Sequence, residues 1–397
     1  MDFSFTPEQE KLKKEFEQFF STEMKKAPPV YETGGLEAMF GSEEGWEFHL
    51  YMARELGKKG WLAMAWPEKY GGKDASVIDQ VIFSEVRGYY GAPGVDIFGI
   101  GIVAPTLLVA ASEEQREKFL PPIAKGEVMY CQGWSEPNAG SDLASLSTSA
   151  VKDGDDYIIN GQKIWTSGAH RADWMFILVR TDLNEKRSKG LTYLLLDMKT
   201  PGITIRPIEA MDGLHMFNEV FFDDVRVPIA NRIGEENKGW EVTRQSMNFE
   251  RSSIGIFSEN QRTIEDLVKF VKETKKDGKP LAENQVIRNK LAELAAATDV
   301  GRAMAYNIAW MQEKGGLFMA ASAASAAKVF GSELAQRLVY VGAEILGQYS
   351  QVKESKWAPL NGKFETNYQN CMGLNIAGGT SEIQRNLVAW IGLGLPR

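Results

Sequence analysis

A chain of 397 residues is long for one hydrophobic core, and its length predicts about two to three domains. Its 44% apolar and 25% charged residues describe an ordinary globular protein, and no apolar run approaches the roughly 20 residues of a membrane-spanning helix. A net charge of −8 argues against nucleic acid as a partner, two cysteines (Cys131, Cys371) are too few for a disulfide framework, and three scattered histidines offer neither a metal cluster nor a histidine-based triad.

The N-terminus, Met1 to Pro7, lacks the basic and apolar stretches of a signal peptide and the Arg-rich character of a transit peptide, so a cytoplasmic location is expected. Thr6-Pro7-Glu8-Gln9 reads as a capping box with proline at the first helical position, and Leu12, Phe16 and Phe19 continue that helix toward Pro28-Pro29. A second helix is expected over Trp46 to Leu56, closed by Gly57, followed by a Gly- and Pro-punctuated loop through Trp66-Pro67 to Gly71-Gly72. Helical periodicity resumes over Ile78 to Tyr89, Val103 to Ala111 and Ser112 to Ala124, giving an all-α domain over 1–127.

After Gly126 the period changes. Ala150 to Gly161 reads as a strand, an Asp153-Gly154 turn, a second strand and an Asn160-Gly161 turn. Trp174 to Val179, Leu191 to Leu196, Ile203 to Pro207 and Glu219 to Val227 add short β runs, so 128–235 is expected to be a small β-barrel or sandwich domain. From Gly239 the helical period returns. Leu267 to Lys276, Asn284 to Met311, Ala320 to Leu346 and Thr380 to Ile391 read as the long helices of a four-helix bundle over 236–397. The whole is an α+β multidomain chain.

The run from Gly133 to Ser145 joins helix breakers, small residues and hydroxyls behind Trp134. That composition suits a binding loop whose backbone N–H groups turn toward a ligand, and it suits a surface turn equally well. Four stretches in order then carry a resemblance: Ser135-Glu136-Pro137-Asn138-Ala139-Gly140-Ser141-Asp142, Asn160-Gly161-Gln162-Lys163-Ile164-Trp165-Thr166-Ser167, Asn218 to Pro228, and Gly378-Gly379-Thr380-Ser381-Glu382-Ile383-Gln384-Arg385. Across nearly the whole chain they resemble the acyl-CoA dehydrogenase flavoproteins.

That resemblance implies FAD-dependent desaturation of an acyl-CoA thioester to a trans-2-enoyl-CoA, with electrons passed to an electron-transfer flavoprotein. The flavin is implied to sit where β domain and C-terminal bundle meet, lined by Gln132, Trp134, Ser135, Gly140, Ser141, Trp165 and Ser167. Gly379, Thr380 and Glu382 are implied on its ribityl and pyrophosphate side. Ser135 is expected to donate near the flavin N5, and Trp165 to cover the face opposite the substrate, although a lone tryptophan in a strand is more often core. Ser141 is also expected on the substrate side.

The base position departs from many members. Where a glutamate precedes Gly-Thr-Ser in those members, this chain has Gly378, whose backbone N–H retains the implied role of donor to the thioester oxygen. Glu250 matches the position from which the isovaleryl-CoA and long-chain branches supply their base, against the alternative of a surface glutamate in an ion pair. Asn248 and Arg251 are implied to position CoA. The missing side chain at Gly378 suggests an α-branched, cyclic or bulky acyl group. Alternatives within the resemblance are an oxidase, a desulfinase, an enoyl-CoA reductase or a non-catalytic partner subunit.

Two further motifs depart from the family. Thr274-Lys275-Lys276-Asp277-Gly278 replaces an Arg-x-x-Phe-Gly pattern, and Glu344-Ile345-Leu346-Gly347-Gln348 replaces Gln-x-x-Gly-Gly, both of which hold the phosphates of a neighbour's FAD in the usual tetramer. A tetramer is expected, with an α2β2 assembly alongside a related chain favoured over a homotetramer.

Overall fold

The change of hydrophobic period near Gly126 marks where a sheet begins, and eight strands follow it: β1 (Tyr130–Gly133), β2 (Ser149–Asp153), β3 (Asp156–Lys163), β4 (Trp174–Arg180), β5 (Leu191–Asp197), β6 (Ile203–Ile208), β7 (Phe217–Pro228) and β8 (Arg232–Ile233). The computed structural model describes residues 4–32, 36–185, 187–246, 252–315 and 317–396. Its chain gathers into two units, one of 39–75 with 94–249 and one of 1–38, 76–93 and 250–397. No described helix is long and apolar enough to cross a membrane.

In the first unit the strand order is β6-β7-β3-β2-β4-β5-β8, with β1 parallel on β4. Inward positions Tyr157, Ile159, Met175, Ile177, Val179, Leu194, Val220 and Val225 fill one core. The alternate residues of β4 and β5, Phe176, Leu178, Tyr193 and Leu195, pack with Leu107, Phe119, Leu120 and Ile123 from the helices Ala104–Ala110 and Glu113–Ala124. Both faces of β4 and β5 are therefore covered, which is why they read as nearly continuous apolar runs.

The expected Gly154 turn joins β2 to β3, with Asp153 opposite Asp156. Asn160-Gly161 is not a turn. It lies within β3 at a bulge, where Gly161 takes φ +146° and a Cβ would stand 2.7 Å from the Thr148 hydroxyl oxygen. Gly57 likewise does not close its helix, which runs Glu43–Lys58. A Cβ there would come within 2.4 Å of the Lys125 carbonyl oxygen, so the glycine permits close backbone approach in the last turn of the helix.

In the second unit the helix Pro7–Glu23 starts at the expected Thr6 capping box, with Gln9 and Thr6 bonded reciprocally. The helix expected over 267–276 is Ile254–Glu273, its first half masked to periodicity by the buried polar residues Ser258, Asn260 and Thr263. It stops where Asp277 and Gly278, at φ +53° and +79°, turn a short hairpin of Lys275–Lys276 against Lys279–Pro280. Helices Gln285–Glu313 and Leu317–Leu346 follow, then Lys363–Leu374, which the periodicity does not announce. The last helix is short, Ser381–Leu387, and continues as a π-type turn over Val388–Gly392.

Phe257, Leu267, Leu294, Leu338 and Phe364 form the core of this unit. Gly301 receives the Phe257 ring and Gly342 the Phe364 ring, with ring atoms 2.1 and 1.9 Å from where a Cβ would stand. Substituting Gly301→Ala is expected to destabilise the chain by about 1–3 kcal/mol through overpacking, less up to about 1 kcal/mol of gained helix propensity. Urea unfolding measures this, and Phe257→Leu in the same background is expected to recover part of the loss.

Candidate active site

The run after β1 is rich in small and polar residues, and beyond the apolar contacts of Trp134, Ala139, Leu143 and Leu146 it is held in place by hydrogen bonds. Its first turn closes by reciprocal backbone bonds between Glu136 and Ala139, both 3.0 Å. Below that turn the Glu136 carboxylate is buried and gathers four donors: the Ser147 N–H at 2.7 Å, the Ser147 hydroxyl at 3.0 Å, the Thr148 N–H at 2.9 Å and the Lys163 ammonium at 2.8 Å. Lys163, fully buried at the end of β3, also donates to the Trp134 carbonyl at 3.1 Å. One residue on, the Ile164 N–H donates to the Ser135 carbonyl at 2.9 Å. Loop and strand end are thereby stitched at three successive residues, 134 to 136.

Burial alone would raise the Glu136 carboxyl, but the Lys163 charge and the donors of Thr148 and Ser147 overcome it and bring it from 4.5 down to about 2. Burial pulls the Lys163 ammonium down to about 8 against the attraction of Glu136. Both groups are charged at neutral pH.

Downstream the loop is held by the opposite chemistry. Arg180, at the end of β4, places all five of its N–H donors on backbone carbonyls: Ala144 at 3.0 Å, Leu146 at 3.0 Å, Glu185 at 3.1 Å, Arg187 at 2.9 Å and Lys189 at 2.9 Å. Between these anchors Gly140 and Ser141 are exposed, and no atom lies within 4 Å of where a Gly140 Cβ would stand. Gln132 is half-buried in β1 opposite Phe176, and the Trp134 ring meets Phe176 edge-on at 5.7 Å.

Trp165 is not in a strand. It follows β3 at φ +59°, a left-handed conformation uncommon for a bulky residue, and its side chain is 56% exposed. Ser167 lies half-buried two residues on. Trp134 Nε1 and Thr166 Oγ1 are buried and find no partner among the described residues, and such groups concentrate where a ligand or water completes a site. An outward indole beside an unobstructed loop fits a flat ring system such as a flavin.

The other unit carries Gly378, Gly379, Thr380 and Glu382. Gly378 and Gly379 take φ +66° and +92° in succession. Their carbonyls are both engaged, that of Gly378 accepting from Gln384 Nε2 at 2.8 Å and that of Gly379 from Lys328 Nζ at 2.8 Å. Thr380 caps the helix that follows by accepting from the Ile383 N–H at 3.3 Å, and Glu382 stands exposed in its first turn. The space a Gly378 side chain would enter is empty to 4 Å. Asn248, Glu250 and Arg251 lie outside the described residues.

Lys163, Lys328, Gln384 and Arg180 were not singled out from sequence. Lys163 had a signal, since it continues the alternation of the inward residues Tyr157 and Ile159. The partners of the other three are distant in sequence or are backbone carbonyls, which leave no trace in residue type.

The three domain models described as acyl-CoA dehydrogenase N-terminal, middle and C-terminal domain match residues 6–127, 131–225 and 237–392. Over 403 residues the chain is 36% identical to acyl-CoA dehydrogenase FadE26 of Mycobacterium tuberculosis, across 100% of this chain and 99% of that one. Among solved structures, the ChsE4-ChsE5 complex from Mycobacterium tuberculosis matches with a TM-score of 0.87 at 35% identity, and the Tcur3481-Tcur3483 steroid ACAD with 0.89 at 30%, each covering 100% of both chains. Helices, sheet and helices, with a clamped loop on the sheet, are thus the frame of an acyl-CoA oxidoreductase. The chain belongs to the acyl-CoA dehydrogenase family, whose members are flavoproteins.

Removing one partner of the buried pair strands the other's charge. Lys163→Met or Glu136→Gln is therefore expected to cost about 3–5 kcal/mol in urea unfolding, with the double variant losing less than the sum. Because the Glu136 carboxyl is depressed on folding, its contribution is complete above pH 4.5 and is lost as the pH falls toward 2. In Glu136→Gln the stability of the chain should lose part of its pH dependence across that window.

Proposed function

We propose that the chain is an FAD-dependent dehydrogenase that converts an acyl-CoA to its trans-2-enoyl-CoA. The observation that carries this reading is the outward, left-handed Trp165 beside a loop anchored through Glu136, within a chain of this family. Bound FAD supplies the hydride acceptor for Cβ that no side chain offers.

The rest is the work of this chain's own residues. Glu250, as a carboxylate, removes the α proton, and its basicity rises with the exclusion of water by the acyl group. The Gly378 N–H, which finds no acceptor among the described residues, holds the thioester oxygen as negative charge develops there. Gln384 and Lys328 keep the neighbouring carbonyls from facing that oxygen. Asn248 and Arg251 hold the CoA portion, with Ser141 on the substrate side. Ser135, Gly140 and Ser167 line the ring, Gln132 and Trp134 support it, and Gly379, Thr380 and Glu382 stand toward the ribityl and pyrophosphate groups. The two electrons then pass to an electron-transfer flavoprotein.

The acyl group in this proposal is branched or ring-bearing. The open space at Gly378 supports it, as does the likeness to a protein described as a steroid ACAD. The reaction is assigned to a cytoplasm, in keeping with two buried free cysteines.

The assembly we propose is α2β2 with a related chain. The segment where the family carries Arg-x-x-Phe-Gly is here an exposed lysine hairpin, and Glu344 stands where an amide is usual, ion-paired with Lys290. Two structural relatives are themselves described by pairs of names, ChsE4-ChsE5 and Tcur3481-Tcur3483.

Replacing Glu250→Gln deletes the base while keeping size and hydrogen bonding. Turnover is expected to fall by about 10²–10⁴-fold with flavin content and thioester affinity nearly unchanged, and substantial residual turnover would reject the assignment. Light scattering with flavin titration tests the assembly: two FAD per four chains, formed only with a partner, is expected. A fully active tetramer of this chain alone with one FAD per chain would refute it.

A further inference from the structure

Asn218, the second residue of β7, belongs to a stretch that marks the family yet has no part in the chemistry above. It is fully buried, and it grips Thr166 at both ends. The Thr166 N–H donates to the Asn218 carbonyl at 3.0 Å, and Asn218 Nδ2 donates to the Thr166 carbonyl at 3.0 Å. Two residues on, the Gly168 N–H donates to the Met216 carbonyl at 2.9 Å.

The orientation of the Asn218 amide follows from these bonds. A carbonyl can only accept, so the atom facing Thr166 is the NH2 group. Its second hydrogen points at His170 Nδ1, 3.2 Å away, and its oxygen faces His215 Nε2 at 2.7 Å. His170 Nδ1 is therefore bare and His215 Nε2 carries a proton. The two imidazoles stack with centroids 3.8 Å apart, and burial, with His215 and Arg171 adding to it, pushes His170 down to about 4, so it is a neutral acceptor near pH 7. Every donor and acceptor of the Asn218 side chain is thus committed, and the committed amide can take only one orientation.

What this amide holds is the residue after Trp165. A left-handed tryptophan persists only where its surroundings over-determine it. Fixing both backbone groups of Thr166, with the Phe217 ring edge-on to the indole at 6.0 Å, supplies that constraint. We infer that Asn218 is a positioning residue that locks Trp165 into its outward, left-handed conformation before any flavin arrives, with His170 and His215 fixing the orientation of its amide. The inference rests on the proposed flavin role of Trp165 for its functional consequence, though not for the clamp itself.

Two measurements test it separately. In hydrogen exchange of the full chain stripped of flavin, the Thr166 and Gly168 amides are expected to be protected as strongly as in the flavin-loaded protein. Free exchange that slows only on adding FAD would overturn the inference, and this arm needs no variant. The second arm uses Asn218→Asp, which keeps the shape but presents acceptors to the Thr166 carbonyl and to His170 Nδ1, with Asn218→Ala as a variant that adds no charge. Either substitution is expected to speed exchange at Thr166 and to weaken FAD binding by about tenfold. In a Trp165→Ala background the same substitution should change FAD affinity by less than about twofold, because the residue it positions is gone. Equal losses in both backgrounds would mean that Asn218 acts as general scaffolding. Should the unaltered chain bind no flavin with or without a partner, the proposed function fails, while the exchange data still decide whether the clamp exists.

Discussion

A carboxylate buried under a loop is a costly device, and the arrangement of this protein's candidate site depends on one. Glu136 sits beneath a turn whose Ala139 packs into the core, and it draws the two residues before β2, the end of β3 and its own loop to a single point through four hydrogen bonds. In a site of low dielectric a fully satisfied polar cluster of this kind confers rigidity, whereas a half-satisfied one would unfold the loop. Arg180 completes the scheme with the opposite sign. Glu136 collects donors at one end of the loop and Arg180 collects carbonyls at the other, while Ala139 closes the turn and Gly140 and Ser141 stay exposed between the anchors.

The same logic recurs where the chain must hold a conformation that L-residues resist. Trp165 is left-handed because Thr166 is fixed at both backbone groups, and the consecutive left-handed glycines 378 and 379 have their carbonyls tied to Gln384 and Lys328. In each case a side chain from elsewhere satisfies a backbone group so that its neighbours stay available to a ligand. The sheet itself can supply this precision because β4 and β5 are buried on both faces.

Much of this architecture is legible in local sequence. The Thr6 capping box, the Gly154 hairpin and the unbroken apolar run of β4 each state a local energy preference, and each forms where expected. Sequence reading fails where a residue answers to a distant neighbour. Gly57 and Gly161 have the look of punctuation, yet each is small because another segment passes close by. The helix Lys363–Leu374 went unread because it buries few apolar side chains, Phe364 and Cys371 among them, seven positions apart. Trp165, Asn218 and the glycine turn at 378–379 all stand in stretches that carry the motif resemblance, whereas the grip of Asn218 on Thr166 and of Lys328 on Gly379 is visible only in three dimensions.

The central claim is that this chain desaturates an acyl-CoA at a flavin beside Trp165, and anaerobic mixing of the flavin-loaded protein with a panel of acyl-CoA thioesters tests it most directly. The account predicts rapid bleaching of the oxidised flavin by branched or ring-bearing thioesters, slower bleaching by straight chains, and formation of the 2-enoyl product in step with the bleaching. An oxidised flavin that no acyl-CoA reduces would contradict the claim, and equal rates for straight-chain and ring-bearing substrates would contradict the acyl group assigned to it.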